Sequence, residues 1–181
     1  MPELSPCPAC GGTFPASDGP THRYLESSPG CWAAYGEVLA REYSDPVYAR
    51  LHRLTVDTYA VQHPGRPIPQ TIQSAAGHLV SLCLVLERGK SAEEATQAIG
   101  AVTRNKGGYI WLDPPSSMGA VTVRDVQGAQ NAEEHLSVVR RWAESTWQAW
   151  SSHHQTVRFW ADEASGTSWQ IGRPAKGFRL Q

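Results

Sequence analysis

The sequence predicts an all-α fold, a bundle of five or six helices preceded by a loop-rich, cysteine-bearing segment. Three observations lead to it. Apolar residues recur at helical spacing in several long stretches after Pro29, helix-start signals stand at the heads of those stretches, and little of the chain reads as strand. The 181 residues are enough for one compact domain with a small appendage.

Residues 1 to about 28 are rich in Pro, Gly, Ser and Cys and have no apolar period, so they read as a loop-rich segment that needs a staple. The first helix is expected from Pro29 to Tyr43. Ser28 is a suitable cap, and Pro29 suits the first helical position because its missing N–H costs nothing there. Asp45-Pro46 repeats the start signal for a second helix to about Gln62, with Val47, Leu51, Leu54, Thr58 and Val61 along one face. His63-Pro64-Gly65 stops it, because proline disfavours helix at the residue before it.

After the stiff GRPIP connection, a third helix is expected from Gln70 to Arg88. Its stripe of Ile72, Ala75, Ala76, Leu79, Cys83 and Leu86 is widened by Leu82, Leu84 and Val85 until the helix is apolar almost all round, hence central in the packing. Gly89 ends it. Ser91 and Glu94 form a capping box for a fourth helix to about Asn105. Pro114-Pro115 and the glycines of KGGYIWLDPPSSMGAVTV exclude a long helix there. Tyr109–Leu112 is left as a short extended piece, and Thr122 as the cap of a helical turn ending in Asp125. Asn131 and Glu134 cap a long helix to about Trp150, and Ser152 with Gln155 marks a restart that ends near Ala164. The expected organisation is a cysteine-bearing segment, 1–35, docked on a bundle, 36–163, with a loose tail, 164–181.

Composition narrows the function. The chain is 40% hydrophobic and 18% charged with a net charge of −1, which argues against a nucleic-acid binder that works by neutralising phosphates. No run of eighteen or more apolar residues appears, and no basic-then-apolar leader, so a cytoplasmic protein without membrane attachment is expected. In a reducing compartment, paired cysteines bind metal or do redox chemistry more often than they form disulfides.

Cys7-Pro8-Ala9-Cys10-Gly11 has the form of a zinc knuckle: two thiolates two residues apart can face one tetrahedral ion, and the glycine lets the backbone turn sharply. Four ligands close a structural site, and His22 and Cys31 are the downstream candidates, giving C-x2-C-x11-H-x8-C. Cys31 falls in the first turn of the first helix, where unpaired N–H groups and the helix dipole favour a thiolate. The alternatives are free thiols or a redox pair for Cys7 and Cys10, a buried thiol for Cys31 and a solvated loop histidine for His22. Cys83 belongs to the apolar stripe of the third helix and reads as core.

A second constellation lies in the helical body. His78 is the polar exception in SAAGHLVSLCLVL, and a buried imidazole must satisfy both ring nitrogens. Asp57 could accept from one of them, leaving the other for a metal or a substrate. His63 at a helix end and His153 or His154 at a helix kink could complete a cavity, so Asp57, His63, His78 and His153 are the candidate catalytic residues. No H-x3-H or H-E-x2-H pair fixes a metal locally, and a hydrogen-bonded core histidine is the plainer reading of His78. Trp142, Trp147, Trp150 and Trp160 could wall a pocket but read more simply as core.

CPACGG, PTHRYLESSPGCWAAYGEVLAREYSDPVY, HRLTVDTYAVQHPG and QSAAGHLVSLCLVLERG together resemble an uncharacterised bacterial family of small CPxCG-containing proteins, over most of the chain through about Trp160. That resemblance implies no activity. The histidine constellation is loosely similar to metal-dependent DinB-like helical bundles, whose H-x3-H pair is missing here. The expected function is therefore a zinc-binding cytoplasmic protein. Cys7, Cys10, His22 and Cys31 would hold a structural zinc, an interhelical pocket would take a second metal or a small molecule, and a small molecule or a protein is the expected kind of partner. The alternative is a non-catalytic binding or adaptor module whose histidines are structural.

Overall fold

The computed structural model describes residues 3–104 and 108–166. Residues 167–181, most of the expected tail, and Asn105, the expected end of the fourth helix, lie outside the described residues. The structure is mostly helical, with a single two-stranded sheet.

The sequence does not announce that sheet. β1 (Leu4–Pro6) pairs antiparallel with β2 (Thr13–Pro15), Leu4 opposite Pro15 and Pro6 opposite Thr13. Three-residue strands are too short to show alternation, and their prolines read as loop. Phe14 points inward from β2 and is buried, which fastens the hairpin to the core.

α1 (Pro29–Ser44) begins where its cap requires, with Ser28 Oγ accepting the Cys31 N–H at 3.2 Å. Its first turn lies hard against β2: a Cβ built on Gly30 would stand 2.2 Å from the Pro15 carbonyl oxygen, so only glycine fits there. The second helix does not run unbroken from Asp45. Asp45 Oδ1 takes the Val47 N–H at 2.8 Å and makes a local turn that competes with helix. A 3-10 turn at Tyr48–Leu51 follows, and then α2 (His52–Gln62).

α3 (Pro69–Leu82) starts with Thr71 Oγ accepting the Ile68 N–H, and it passes into a π-helical turn over Cys83–Glu87. Gly89, at φ 62°, ends that turn. α4 (Ala92–Arg104) carries the Ser91/Glu94 capping box, with the Glu94 N–H on Ser91 Oγ at 3.2 Å and the Ser91 N–H on Glu94 Oε2 at 2.8 Å. Among the described residues, the stretch around Tyr109–Leu112 pairs with no strand. α5 (Val123–Gln127) is capped by Thr122 and Asp125, and α6 (Ala132–Ala149) by Asn131. A 3-10 turn at Ser151–His153 leads to α7 (His154–Ala164).

α2 lies at the centre, against α3 on one side and α6 on the other, while α3 also packs on α4 and α7, and α1 on α5. Trp142 and Trp147 of α6, Trp150 just after it and Trp160 of α7 are core, as are Tyr59, Leu79, Leu82 and Val157. α2 is buried almost all round although half its residues are polar, and hydrogen bonding makes that tolerable. Gln62 Nε2 donates to Met118 O at 3.0 Å and Val121 O at 2.8 Å, and its Oε1 accepts the Trp142 indole N–H at 2.9 Å. Glu42, buried in α1, accepts from Thr55 and faces His52 Nδ1 at 2.7 Å and His135 Nε2 at 3.0 Å. No helix among the described residues is long and apolar enough to cross a membrane.

Candidate metal centre

Cys7 and Cys10 stand on the turn between β1 and β2. Gly11, at φ 71°, takes the left-handed backbone that reverses the chain. Its N–H bonds Cys7 O at 3.0 Å, and the Cys7 N–H bonds Gly12 O at 2.8 Å, which closes the turn. Cys31 comes from the first turn of α1. Its capping residue, Ser28, gives its own N–H to Cys7 Sγ at 3.5 Å, so one serine links the helix start to the turn.

His63 stands just past the end of α2, before the proline that stops the helix. Its Nδ1 faces Tyr59 O at 2.8 Å. A carbonyl only accepts, so Nδ1 carries the proton and Nε2 keeps its lone pair. That Nε2 lies 3.2 Å from Cys31 Sγ. A bond from the Glu26 N–H to His63 O at 3.2 Å holds the connector before α1 against this end of α2.

The donor atoms of Cys7, Cys10, Cys31 and His63 all lie within 4.8 Å of one another, and all four residues are buried. Tetrahedral zinc with Zn–S bonds of about 2.3 Å sets its sulfurs about 3.8 Å apart. Cys10 and Cys31 Sγ are 3.9 Å apart. A disulfide needs about 2.05 Å, and all four cysteines are free. The spacing therefore suits four ligands around a cation.

Electrostatics points the same way. Hydrogen bonds from Cys10 and Cys31 pull the Cys7 thiol well below its ordinary value. Hydrogen bonds to Cys10 and Cys7, then burial, push Cys31 far above it. Cys10 is drawn down by its bond to Cys31, but the Cys7 bond and burial outweigh this and raise it to about 12. The group accepts one negative charge and resists the next, because buried like charges repel with little screening. Only a cation in their midst lets all three sulfurs ionise. Aromatic rings shield the group: Tyr59 stacks on His63 at 4.0 Å and on Tyr35 at 3.8 Å between centroids, and its hydroxyl is 3.6 Å from Cys31 Sγ.

The pattern of the Family of unknown function (DUF5946) matches residues 5–151. The chain belongs to this family. The DUF5946 match runs from β1 through α6 and contains all four donors. No curated protein and no solved structure matches the chain.

Three of the four ligands expected from the sequence meet in this DUF5946 chain; His22 does not join them. Its Nδ1 accepts the Tyr24 N–H at 3.1 Å, and its ring tilts against Trp32 at 5.3 Å between centroids. The donor added to the three thiols is His63. Linear spacing favoured His22, but α2 delivers His63 from 32 residues beyond Cys31. Tyr59 and His63 stand four residues apart at the end of α2, both fully buried, and Tyr59 Oη and His63 Nε2 both face Cys31 Sγ.

Among the described residues, the four candidate catalytic residues form no common group of metal-ligating donors. His63 faces the thiols. Asp57 is buried and ion-paired with Arg53, which is four residues before it, and it accepts from Ser81. The expected contact with His78 is present, Nδ1 to Asp57 Oδ1 at 2.7 Å. His153 Nε2 donates to Asp113 O at 2.9 Å. Among the described residues, the three cysteines and His63 are the only group of three or more metal-ligating side chains whose donor atoms all lie within 4.8 Å of one another.

Proposed function

We propose that this protein binds one zinc ion through Cys7, Cys10, Cys31 and His63, and that the ion is a structural clamp between the N-terminal hairpin and the helical body. The observation that carries this reading is the meeting of four buried donors at tetrahedral spacing, with the histidine tautomer already set by Tyr59 O. Zinc suits the donor chemistry, since soft thiolates with an imidazole in a tetrahedral arrangement favour it. When bound, the ion supplies no open position, because the protein fills all four, so its role is mechanical rather than catalytic.

The protein is then a cytoplasmic binding module of zinc-fastened helices. His63 belongs to the thiol group and His153 to a bond with Asp113 O, which leaves only the Asp57–His78 pair and favours this over a catalyst with a second metal. Asp57 and His78 hold Arg53 and Ser81 in a satisfied buried network, as a structural role would require.

Metal analysis of protein purified without added metal tests the reading. One zinc per chain is expected, and replacement by cobalt should give the sulfur-to-cobalt charge-transfer and intense visible bands of a tetrahedral thiolate site. Metal-free protein whose thermal midpoint is indifferent to zinc and to chelator would overturn it.

A further inference from the structure

Away from the cysteine turn, a cavity of about 330 Å³ is walled by Arg50, Arg53, Lys90 and Arg140 over a floor that includes Leu54 and Val85. No carboxylate lines it. Three separate parts of the chain supply the cations: the turn and first residues of α2, the residue after Gly89, and α6. Arg53 is ion-paired with Asp57 and Lys90 with Glu94, while Arg50 and Arg140 have no hydrogen-bond or ion-pair partner among the described residues. The whole chain holds 16 Lys and Arg against 17 Asp and Glu, so four cations around one hollow are not a by-product of composition. Like charges gathered around a concave, partly apolar surface repel, and they raise the local concentration of anions.

The cavity shares Arg50 and Arg53 with a wider groove of about 700 Å³ that also carries Tyr43, His52, Val56 and Thr96. One carboxylate, Glu93, lines that groove and not the cavity. Tyr43 is 74% exposed, a large ring left in solvent. Its hydroxyl faces His52 Nε2 at 3.3 Å, and His52 Nδ1 is anchored on buried Glu42 at 2.7 Å. The two rings, 4.9 Å apart, thus form a held aromatic edge beside the cationic hollow.

We propose that the two hollows together bind a soluble phosphate monoester, its phosphate among Arg50, Arg53, Lys90 and Arg140 and its organic part along Tyr43 and His52. Arg50 and Arg140, the two unpaired guanidinium groups, match a doubly charged phosphate in charge and fork shape, while Arg53 and Lys90, already paired with Asp57 and Glu94, line the same hollow. A compact hollow on a chain of net charge −1 fits a small molecule better than a nucleic-acid backbone. The proposal does not depend on the metal centre.

Calorimetric titration with phenyl phosphate, inorganic phosphate and phenol tests it. Phenyl phosphate should bind tighter than inorganic phosphate, phenol should not bind, and added salt should weaken both phosphates. Arg50→Gln and Arg140→Gln alter exposed residues without hydrogen-bond or ion-pair partners among the described residues. Each should weaken phenyl phosphate by about fivefold to tenfold while metal content and thermal midpoint stay unchanged. Tyr43→Ala should weaken phenyl phosphate but not inorganic phosphate. Absence of heat from either phosphate at millimolar concentration would overturn the proposal, as would unchanged affinity in both arginine variants. Co-sedimentation with phosphatidate-containing vesicles by a protein that ignores the soluble phosphates would assign the hollow to a lipid headgroup and equally overturn it.

Discussion

His63→Ala is the most demanding perturbation of the metal centre, because sequence spacing alone would nominate His22. The substitution removes one of four donors, the bond from Nδ1 to Tyr59 O and the stack on Tyr59. Structural zinc in small domains contributes on the order of 10–16 kcal/mol, so one donor in four corresponds to about 3 kcal/mol. The cavity left by a fully buried ring adds about 1–2 kcal/mol. A total of about 4–5 kcal/mol in a chain of this size lowers the thermal midpoint by about 10 °C or more. The cobalt form should lose its tetrahedral spectrum at the same time.

His22→Ala serves as the control. That side chain makes one local hydrogen bond and edge contacts with Tyr24 and Trp32, so its loss should cost about 1 kcal/mol or less and leave the metal in place. His63→Cys keeps a fourth donor and should recover much of the metal affinity, which separates ligand loss from simple misfolding. Metal retained in His63→Ala and released in His22→Ala would refute the assignment.

Gly30→Ala should destabilise the fold by about 2–4 kcal/mol, since its Cβ would meet the Pro15 carbonyl oxygen at 2.2 Å; an unaltered melt would mean that α1 does not seat on β2 as described. Asp57→Ala should cost about 3–5 kcal/mol by leaving Arg53 unpaired, yet metal content should not change; loss of metal in a folded variant would contradict the placing of Asp57 outside the metal centre. Glu87 is held down to about 2, chiefly by its hydrogen bonds with Arg158. Its stabilising effect is therefore full above the ordinary glutamate value of 4.5 and fades as pH falls through about 2. Glu87→Gln should lower the midpoint by a few degrees at neutral pH, with the gap to the parent protein closing in strong acid; a gap independent of pH would contradict the pairing.

The helices were legible because their signals are local. Ser28, the Ser91/Glu94 box, Thr122 with Asp125, and Asn131 each satisfy backbone N–H groups within three residues, so the chain carries that information without its tertiary surroundings. The limits of such reading show at Asp45, where a side chain equally able to cap a helix makes a turn instead. They show again in α2, whose polar residues look solvent-facing until Gln62, Asp57 and Glu42 supply the partners that permit burial.

What the sequence determined by itself was the helical class, most element boundaries and the cysteine turn, since propensity, capping and the C-x2-C spacing act over a few residues. What only the tertiary structure decided was the fourth donor and the fate of the histidines. A ligand sphere is a property of space: His63 reaches the thiols because α2 ends against the start of α1, and neither contact is encoded at any fixed separation along the chain.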